Sequence, residues 1–190
     1  MKRGQAIDLS KSKRVKREEM NHEAMARDVC SVLTFYNKRE LSPLTVREML
    51  NVACWWFSNS RGLGTKCGHW SRKAREAWER QSKSPSQKWS SLDVVHDHVI
   101  PRAALCSYLL GLDLNAPDAK AQVRSILDLS FICIISGDEN KVLNTRGLRQ
   151  KMPKNWNWQS DCLWARYKVA EIEPVSSQDA FFPERLNTPP

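Results

Sequence analysis

Three titratable residues, His96, Asp97 and His98, lie next to one another in a short segment rich in β-branched residues. Residues 92–100 have the composition of a β-strand, and Pro101 suits the first turn of a helix that follows it. Because a strand alternates its faces, the two histidines are expected on one face and the aspartate on the other. An unpaired charge in such a place is costly, so these side chains either hydrogen-bond to one another at a sheet edge or form a chemical site.

Further elements that would position this cluster follow it along the chain. Residues 131–135 form an apolar run typical of a second strand, and Ser136 and Glu139 have the spacing of a capping box that starts a helix. Between the two strands, residues 102–112 and 118–129 have the pattern of two inserted helices. The predicted order is therefore strand, two helices, strand and helix.

The part of the chain before this unit is predicted to be mainly helical. Apolar residues recur every three to four positions within residues 18–39, a capping sequence precedes a second helix, and a third helix is predicted over residues 71–81. Trp55 and Trp56 lie in the second helix and could stack on nucleic-acid bases, but their helical spacing favours a place in the core. We therefore expect a helical lobe over residues 18–89 with both tryptophans buried.

The charge of the chain points to a polyanionic partner. Of its 190 residues, 41% are hydrophobic, enough for one sizeable core, and 30 Lys and Arg against 21 Asp and Glu give a net charge of +9. Each phosphate that a basic residue neutralises releases condensed counterions, which favours binding to nucleic acid. The first 17 residues hold seven basic residues and one acidic residue, so residues 1–17 are predicted to be a disordered basic arm.

Cysteine usage and hydropathy indicate the cellular compartment of the protein. The six cysteines include no C-x-x-C pair, which favours a reduced, cytoplasmic compartment and gives no basis for a structural zinc site. No apolar run approaches the ~18 to 20 residues that a membrane-spanning helix needs, so no membrane partner is expected. These features are typical of a basic cytoplasmic protein.

The segment Asp97-His98-Val99-Ile100-Pro101 resembles the opening strand of the HNH (ββα-metal) nucleases, in which an acidic residue binds a divalent metal and the histidine is the general base. The second strand and its helix follow in the order of that family, and Asn140 best matches the family's last metal-binding position. The tail of a bacterial group of HNH-like proteins is similar to three later segments of this chain: Gly147-Leu148-Arg149, Met152-Pro153 and Ala165-Arg166-Tyr167. The resemblance covers about residues 70–173.

This chain departs from the smallest members of that family in two ways. About 30 residues separate its two predicted strands, so the resemblance implies an elaborated version with inserted helices rather than a plain hairpin. The zinc-holding cysteine pairs of many members are absent. The family's middle asparagine has no clear counterpart, although Asn115 between the inserted helices is a candidate.

The resemblance implies a set of site residues. His98 is the expected general base, and one Mg²⁺ or Mn²⁺ ion is expected on Asp97 and Asn140, with His96 as a further ligand. Glu139 is assigned to the capping box rather than to the metal. Backbone phosphates are expected to contact five basic residues: Arg102, Lys141, Arg146, Arg149 and Lys151.

The expected fold is α+β and mainly helical, with a small two-stranded ββα-metal unit over residues 90–173 and a C-terminal tail over residues 174–190. The function that the resemblance implies is metal-dependent endonucleolytic hydrolysis of nucleic acid, double-stranded DNA in preference to RNA. Restriction or antiphage defence, with a partner subunit as one option, is the implied setting.

Two alternatives stay open from the sequence. One is a catalytically inactive nucleic-acid-binding protein that keeps the same frame, which a metal-dependent cleavage assay would distinguish. The other is an interaction protein that places its basic surface on an acidic partner protein. A steep salt dependence of nucleic-acid binding would argue against the second.

Overall fold

The structure, a computed structural model, describes residues 21–59, 67–81 and 93–176. The predicted basic arm over residues 1–17 lies outside these ranges. The described residues form, in order, α1 (His22–Asn37), α2 (Pro43–Asn59), β1 (His69–Ser71), α3 (Arg72–Gln81), β2 (Val94–His98), α4 (Arg102–Leu110), α5 (Ala119–Asp128), β3 (Ile132–Ser136), α6 (Gly137–Thr145), α7 (Ala165–Ala170) and β4 (Pro174–Ser176). None of these helices is both long enough and apolar enough to cross a membrane.

The sheet has four strands in the order β2-β3-β1-β4, where the sequence predicted two. The two predicted strands, β2 and β3, pair antiparallel with His98 opposite Ile132. β1 adds to β3 in parallel, and β4 adds to β1 antiparallel. The predicted strand number is therefore wrong. Both added strands span only three residues, too few for an alternating pattern to show in the sequence, so β1 was included in the helical lobe and β4 in the tail.

The mixed α+β class and the predicted helices are confirmed within the described residues. α1, α2 and α3 occupy the predicted helical lobe, and α4 and α5 are the two helices inserted between β2 and β3. Helix α6 begins at the residue after β3, so the order strand, strand, helix is present with the insertion inside it.

Strand β3 is buried on both faces, as its continuous apolar run indicates. Cys133 and Ile135 belong to the main core, which packs against α1, α2, α4 and α5. Ile132 and Ile134 point to the opposite face and join a smaller apolar cluster with Trp70 of β1. The sheet is therefore covered on both sides, and β2 lies at its edge.

Helix α2 buries one side and exposes the other. Its fully buried apolar positions recur at steps of three to four residues: Val46, Leu50, Cys54 and Phe57. Trp55 and Trp56 fall outside this stripe, and each is 37% exposed. The expectation that both are core residues is therefore wrong, because successive residues of a helix lie about 100° apart around its axis and only one side of α2 is covered.

Two helices start at serines that end neighbouring parallel strands. The Ser71 hydroxyl accepts from the Ala74 amide at 3.1 Å at the start of α3. Ser136 and Glu139 form the predicted capping box at the start of α6: the Ser136 hydroxyl accepts from the Glu139 amide at 3.3 Å, and the Glu139 carboxylate accepts from the Ser136 amide at 2.8 Å. The Ser71 hydroxyl donates to the same carboxylate, so the buried Glu139 joins both helix starts.

Glu139→Ala is expected to lower the free energy of unfolding by about 1–2 kcal/mol, because the buried Ser71 hydroxyl and the Ser136 amide lose their acceptor. Urea unfolding followed by far-UV circular dichroism measures the change. Asp138→Ala is the matched control, since Asp138 is in the same turn but is exposed and pairs with Lys141 at the surface. A loss for Glu139→Ala no larger than that for Asp138→Ala would contradict the role of Glu139.

Candidate active site beside strand β2

A cavity of about 590 Å³ lies beside β2. Its walls come from α2, β2, the start of α4, the first half of α6 and the segment after α6. The lining includes six residues that the sequence predicted for the site: His96, Asp97, His98, Arg102, Asn140 and Arg149. The predicted base, the predicted metal ligands and two predicted phosphate contacts therefore share one cavity.

Three other predicted phosphate contacts do not line this cavity. Lys141 pairs with Asp138 at 2.9 Å on the exposed side of α6. The Arg146 guanidinium donates to the Val169 carbonyl and pairs with Glu171 at 2.8 Å, so it connects the end of α6 to α7. Lys151 is exposed. Only Arg102 and Arg149 of the predicted set are placed to meet a ligand in the cavity.

Helix α2 contributes residues that sequence reasoning missed. Arg47, Glu48 and Asn51 line the cavity. They lie next to the buried Val46 and Leu50 in the sequence, but only the packing of α2 against α4 places them at the cavity. Asn115, the candidate middle asparagine, is instead exposed in the loop between α4 and α5, where its backbone N–H donates to the Asp113 carboxylate at 2.9 Å.

Asp97 is held by two residues of helix α7. Arg166 is fully buried and donates to Oδ2 of Asp97 and to the carbonyls of His98, Val99 and Leu148, the last two at 2.8 and 2.9 Å. The Tyr167 hydroxyl donates to the same Oδ2 at 2.6 Å. Only 16% of the Asp97 side chain remains exposed. Arg166 therefore fixes both the Asp97 carboxylate and the backbone at the end of β2.

The hydrogen bonds of Ser58 determine the tautomer of His98. The Ser58 hydroxyl has one proton, and it donates that proton to the Trp55 carbonyl at 2.8 Å. The same oxygen lies 3.0 Å from Nε2 of His98 and must accept there, so Nε2 carries the imidazole proton. Nδ1 then holds the lone pair, and no hydrogen bond to Nδ1 is found within the described ranges. The base-competent nitrogen of His98 is Nδ1.

The surroundings of the two histidines keep both imidazoles neutral. Burial, together with the charges of Arg102 and Arg166, lowers the pKa of His98 to about 3. Burial also lowers the pKa of His96. Both imidazoles are therefore neutral near pH 7, the state in which a ring nitrogen can accept a proton or bind a cation. Burial raises the pKa of Asp97, and the Arg166 charge and the Tyr167 hydrogen bond act in the opposite direction.

Asp97, Asn140 and His96 present donor atoms of the kinds that bind Mg²⁺ or Mn²⁺. In the described part of the chain, Oδ1 of Asp97 and the side-chain amide of Asn140 form no hydrogen bond. No group of three or more His, Cys, Asp and Glu side chains in the same ranges is arranged so that it could hold a metal ion. Three arginines line the same cavity, so a divalent cation there would need an anionic ligand that offsets their charge.

The cavity combines two neutral imidazoles, of which that of His98 has a defined lone pair, with two carboxylates, three side-chain amides and three guanidinium groups. These groups can bind a phosphodiester and take a proton from water. Comparisons of the chain with protein-family models, with curated proteins and with solved structures found no match.

Arg166→Met is expected to lower the free energy of unfolding by about 3–5 kcal/mol, because Asp97 and three backbone carbonyls lose a buried donor. Arg146→Met is the matched control: its guanidinium also bonds a carbonyl and a glutamate, but its side chain is 40% exposed, so it should lose much less. Chemical denaturation measures both. Adding Asp97→Leu to Arg166→Met should restore part of the loss, and equal losses for the two arginine variants would contradict this account.

The imidazole ¹⁵N spectrum of His98 is expected to show Nε2 protonated and Nδ1 unprotonated near pH 7, because Ser58 can only accept from Nε2. The chain has four histidines, so subtraction of the His98→Ala spectrum assigns the signals. Ser58→Ala should allow a mixture of tautomers, and Ser58→Thr, which keeps the hydroxyl, should preserve one. A protonated Nδ1 in the wild-type protein would overturn the assignment.

Proposed function

We propose that this chain is a metal-dependent endonuclease that hydrolyses phosphodiester bonds of nucleic acid in the cavity beside β2. The observation that carries the proposal is the convergence of His98, Asp97 and Asn140 on one cavity, since these are the residues that the resemblance to the HNH nucleases identifies as base and metal ligands. The chain order of β2, β3 and α6 supports it, because it is the strand, strand, helix order of that family.

His98 acts as the general base in this proposal. Its Nδ1 lone pair takes a proton from the attacking water, while the hydrogen bond from Nε2 to Ser58 holds the ring in place. The low pKa of His98 keeps the ring neutral near pH 7, and a bound phosphodiester would offset part of the positive field of Arg102 and Arg166. A base in this position contributes about 10²- to 10⁴-fold to a rate.

The residues that would hold one Mg²⁺ or Mn²⁺ ion are Asp97 through Oδ1, Asn140 through its amide oxygen, and His96. When bound, the ion would supply positive charge that stabilises the phosphoryl and leaving oxygens. Arg102 and Arg149 bind the backbone phosphates around the bond that is cut. Since these arginines make the cavity positive, the ion and the nucleic acid should each increase the affinity of the other.

A binding protein without turnover is the second candidate, and one observation favours it. Oδ2 of Asp97 is already engaged by Arg166 and Tyr167, as expected of a carboxylate with a structural role. In that case the arginines of the cavity would still hold phosphates. Metal-dependent cleavage separates the two candidates.

The wider setting belongs to the same proposal. The net charge of +9 suits nucleic acid as the partner. The resemblance favours double-stranded DNA over RNA and a place in cytoplasmic restriction or antiphage defence, with a partner subunit as one arrangement.

His98→Ala is expected to lower the rate of Mg²⁺- or Mn²⁺-dependent plasmid cleavage by at least ~100-fold with DNA binding nearly unchanged, because it removes the base but no phosphate contact. Asn140→Ala should lose activity at low metal concentration and regain part of it as Mn²⁺ is raised, since excess metal offsets weaker binding. Asp97 is left intact, because its loss would unpair the buried Arg166. Gel assays of plasmid nicking and linearisation measure the rates.

Asn115→Ala is the control for Asn140→Ala, because Asn115 is exposed outside the cavity and its removal should leave cleavage unchanged. A His98→Ala variant as active as the wild type would contradict the role of His98. If the wild type cleaves neither DNA nor RNA with either metal, the nuclease proposal fails and the binding protein replaces it.

A further inference from the structure

Helix α2 presents a row of side chains that extends along the cavity and beyond it. Arg47 and Asn51 line the cavity, and Trp55 follows at the same spacing of four residues, so the three side chains form one ridge of the helix. The Trp55 carbonyl accepts from the Ser58 hydroxyl at 2.8 Å, and that hydroxyl contacts His98. We call these three side chains, Arg47, Asn51 and Trp55, the α2 ridge. Its last residue, Trp55, is therefore connected to the proposed base, His98, through Ser58.

Trp55 exposes an aromatic surface at the end of this ridge. The residue is 37% exposed, although indole is among the largest apolar groups that a protein buries. The ring lies edge to face with Trp56, with centroids 4.9 Å apart and an interplanar angle of 78°. An exposed aromatic ring beside a positive groove is the combination on which unpaired bases stack.

We propose that the α2 ridge binds an unpaired strand of nucleic acid that leads into the cavity, with Arg47 on a backbone phosphate and Trp55 stacked on a base. The proposal rests on the proposed function in that it takes nucleic acid as the occupant. Arg47 and Trp55 lie about 12 Å apart along the helix axis, so they meet different nucleotides of one strand. Charge complementarity supports this occupant, because the cavity wall holds Arg47, Arg102 and Arg149 against two acids, Glu48 and Asp97, and Asp97 is already paired with Arg166.

An unpaired strand fits the ridge better than a continuous duplex does. Inside a duplex both faces of each base are already stacked on neighbouring bases, so an aromatic side chain gains a stacking partner only where the strand is open. Single-stranded tails, gaps and frayed ends all offer such bases. The inferred substrate class is therefore nucleic acid with an unpaired segment next to the phosphodiester that enters the cavity.

The test compares two tryptophans that are equally exposed on the same helix. Fluorescence anisotropy with labelled single-stranded DNA, in EDTA to prevent cleavage, is expected to show about 5- to 50-fold weaker binding for Trp55→Leu. Trp56→Leu, also 37% exposed but off the ridge, should bind nearly as well as the wild type. Trp55→Phe keeps an aromatic face and should retain most of the affinity, which separates lost stacking from lost folding. Binding to a blunt duplex of the same length should change less.

An abasic scan of the oligonucleotide tests the stacking contact directly. One abasic position should weaken binding to the wild type and cause no further loss with Trp55→Leu, because both changes remove the same contact. Equal effects of Trp55→Leu and Trp56→Leu, additive effects at every abasic position, or no measurable binding of single-stranded DNA would overturn the proposal. If Trp55→Leu leaves cleavage of substrates with unpaired segments unchanged, strand binding by the α2 ridge is rejected and the endonuclease proposal stands. If the Trp55 and abasic effects are coupled but the protein cleaves no nucleic acid, the endonuclease proposal is rejected and strand binding by the α2 ridge stands.

Discussion

The bond between Arg166 and Asp97 determines how the rest of the site can be arranged. A fully buried guanidinium is stable only if its donors are satisfied, and Arg166 meets that condition with one carboxylate and three carbonyls from the end of β2 and the segment after α6. The same contacts leave Oδ1 of Asp97 as the carboxylate oxygen without a hydrogen bond within the described residues. Helix α7 therefore holds Asp97 in position although none of its residues lines the cavity.

A second support for the site comes from α2. Ser58 is buried, and it fixes the ring of His98 through a hydroxyl that is itself anchored on the α2 backbone. Asp97 is thus held by α7 and the adjacent His98 by α2, two helices that are far apart in the sequence. Such support is what a precise site needs, because catalytic groups lose efficiency when their orientation is loose. Because α2 contacts His98 and lines the cavity, the helical lobe contributes directly to the site.

Short sequence patterns predicted the features of the fold that are determined by neighbouring residues. The three- to four-residue recurrence of apolar side chains predicted the helices, and the β-branched and apolar runs predicted the pair of strands β2 and β3. The spacing of Ser136 and Glu139 predicted the start of α6. The sequence could not predict β1 and β4, since strands of three residues are defined by their partners. Long-range packing likewise decided that Trp55 is exposed, that Arg47 faces the cavity and that Arg146 pairs with Glu171. The site residues on the predicted strand and on the elements that follow it were predicted, among them Arg102, Asn140 and Arg149, and those supplied by α2 were missed.

The central claim is that one cavity beside β2 holds a metal ion and a phosphodiester together. Anomalous diffraction at the manganese edge, from crystals of the His98→Ala variant grown with Mn²⁺ and a DNA oligonucleotide, tests it most directly. The account predicts an anomalous peak in direct contact with Oδ1 of Asp97 and the Asn140 amide oxygen, with a DNA phosphate oxygen as a further ligand. A bound oligonucleotide with no manganese peak in the cavity, or a peak that touches neither residue, would contradict it.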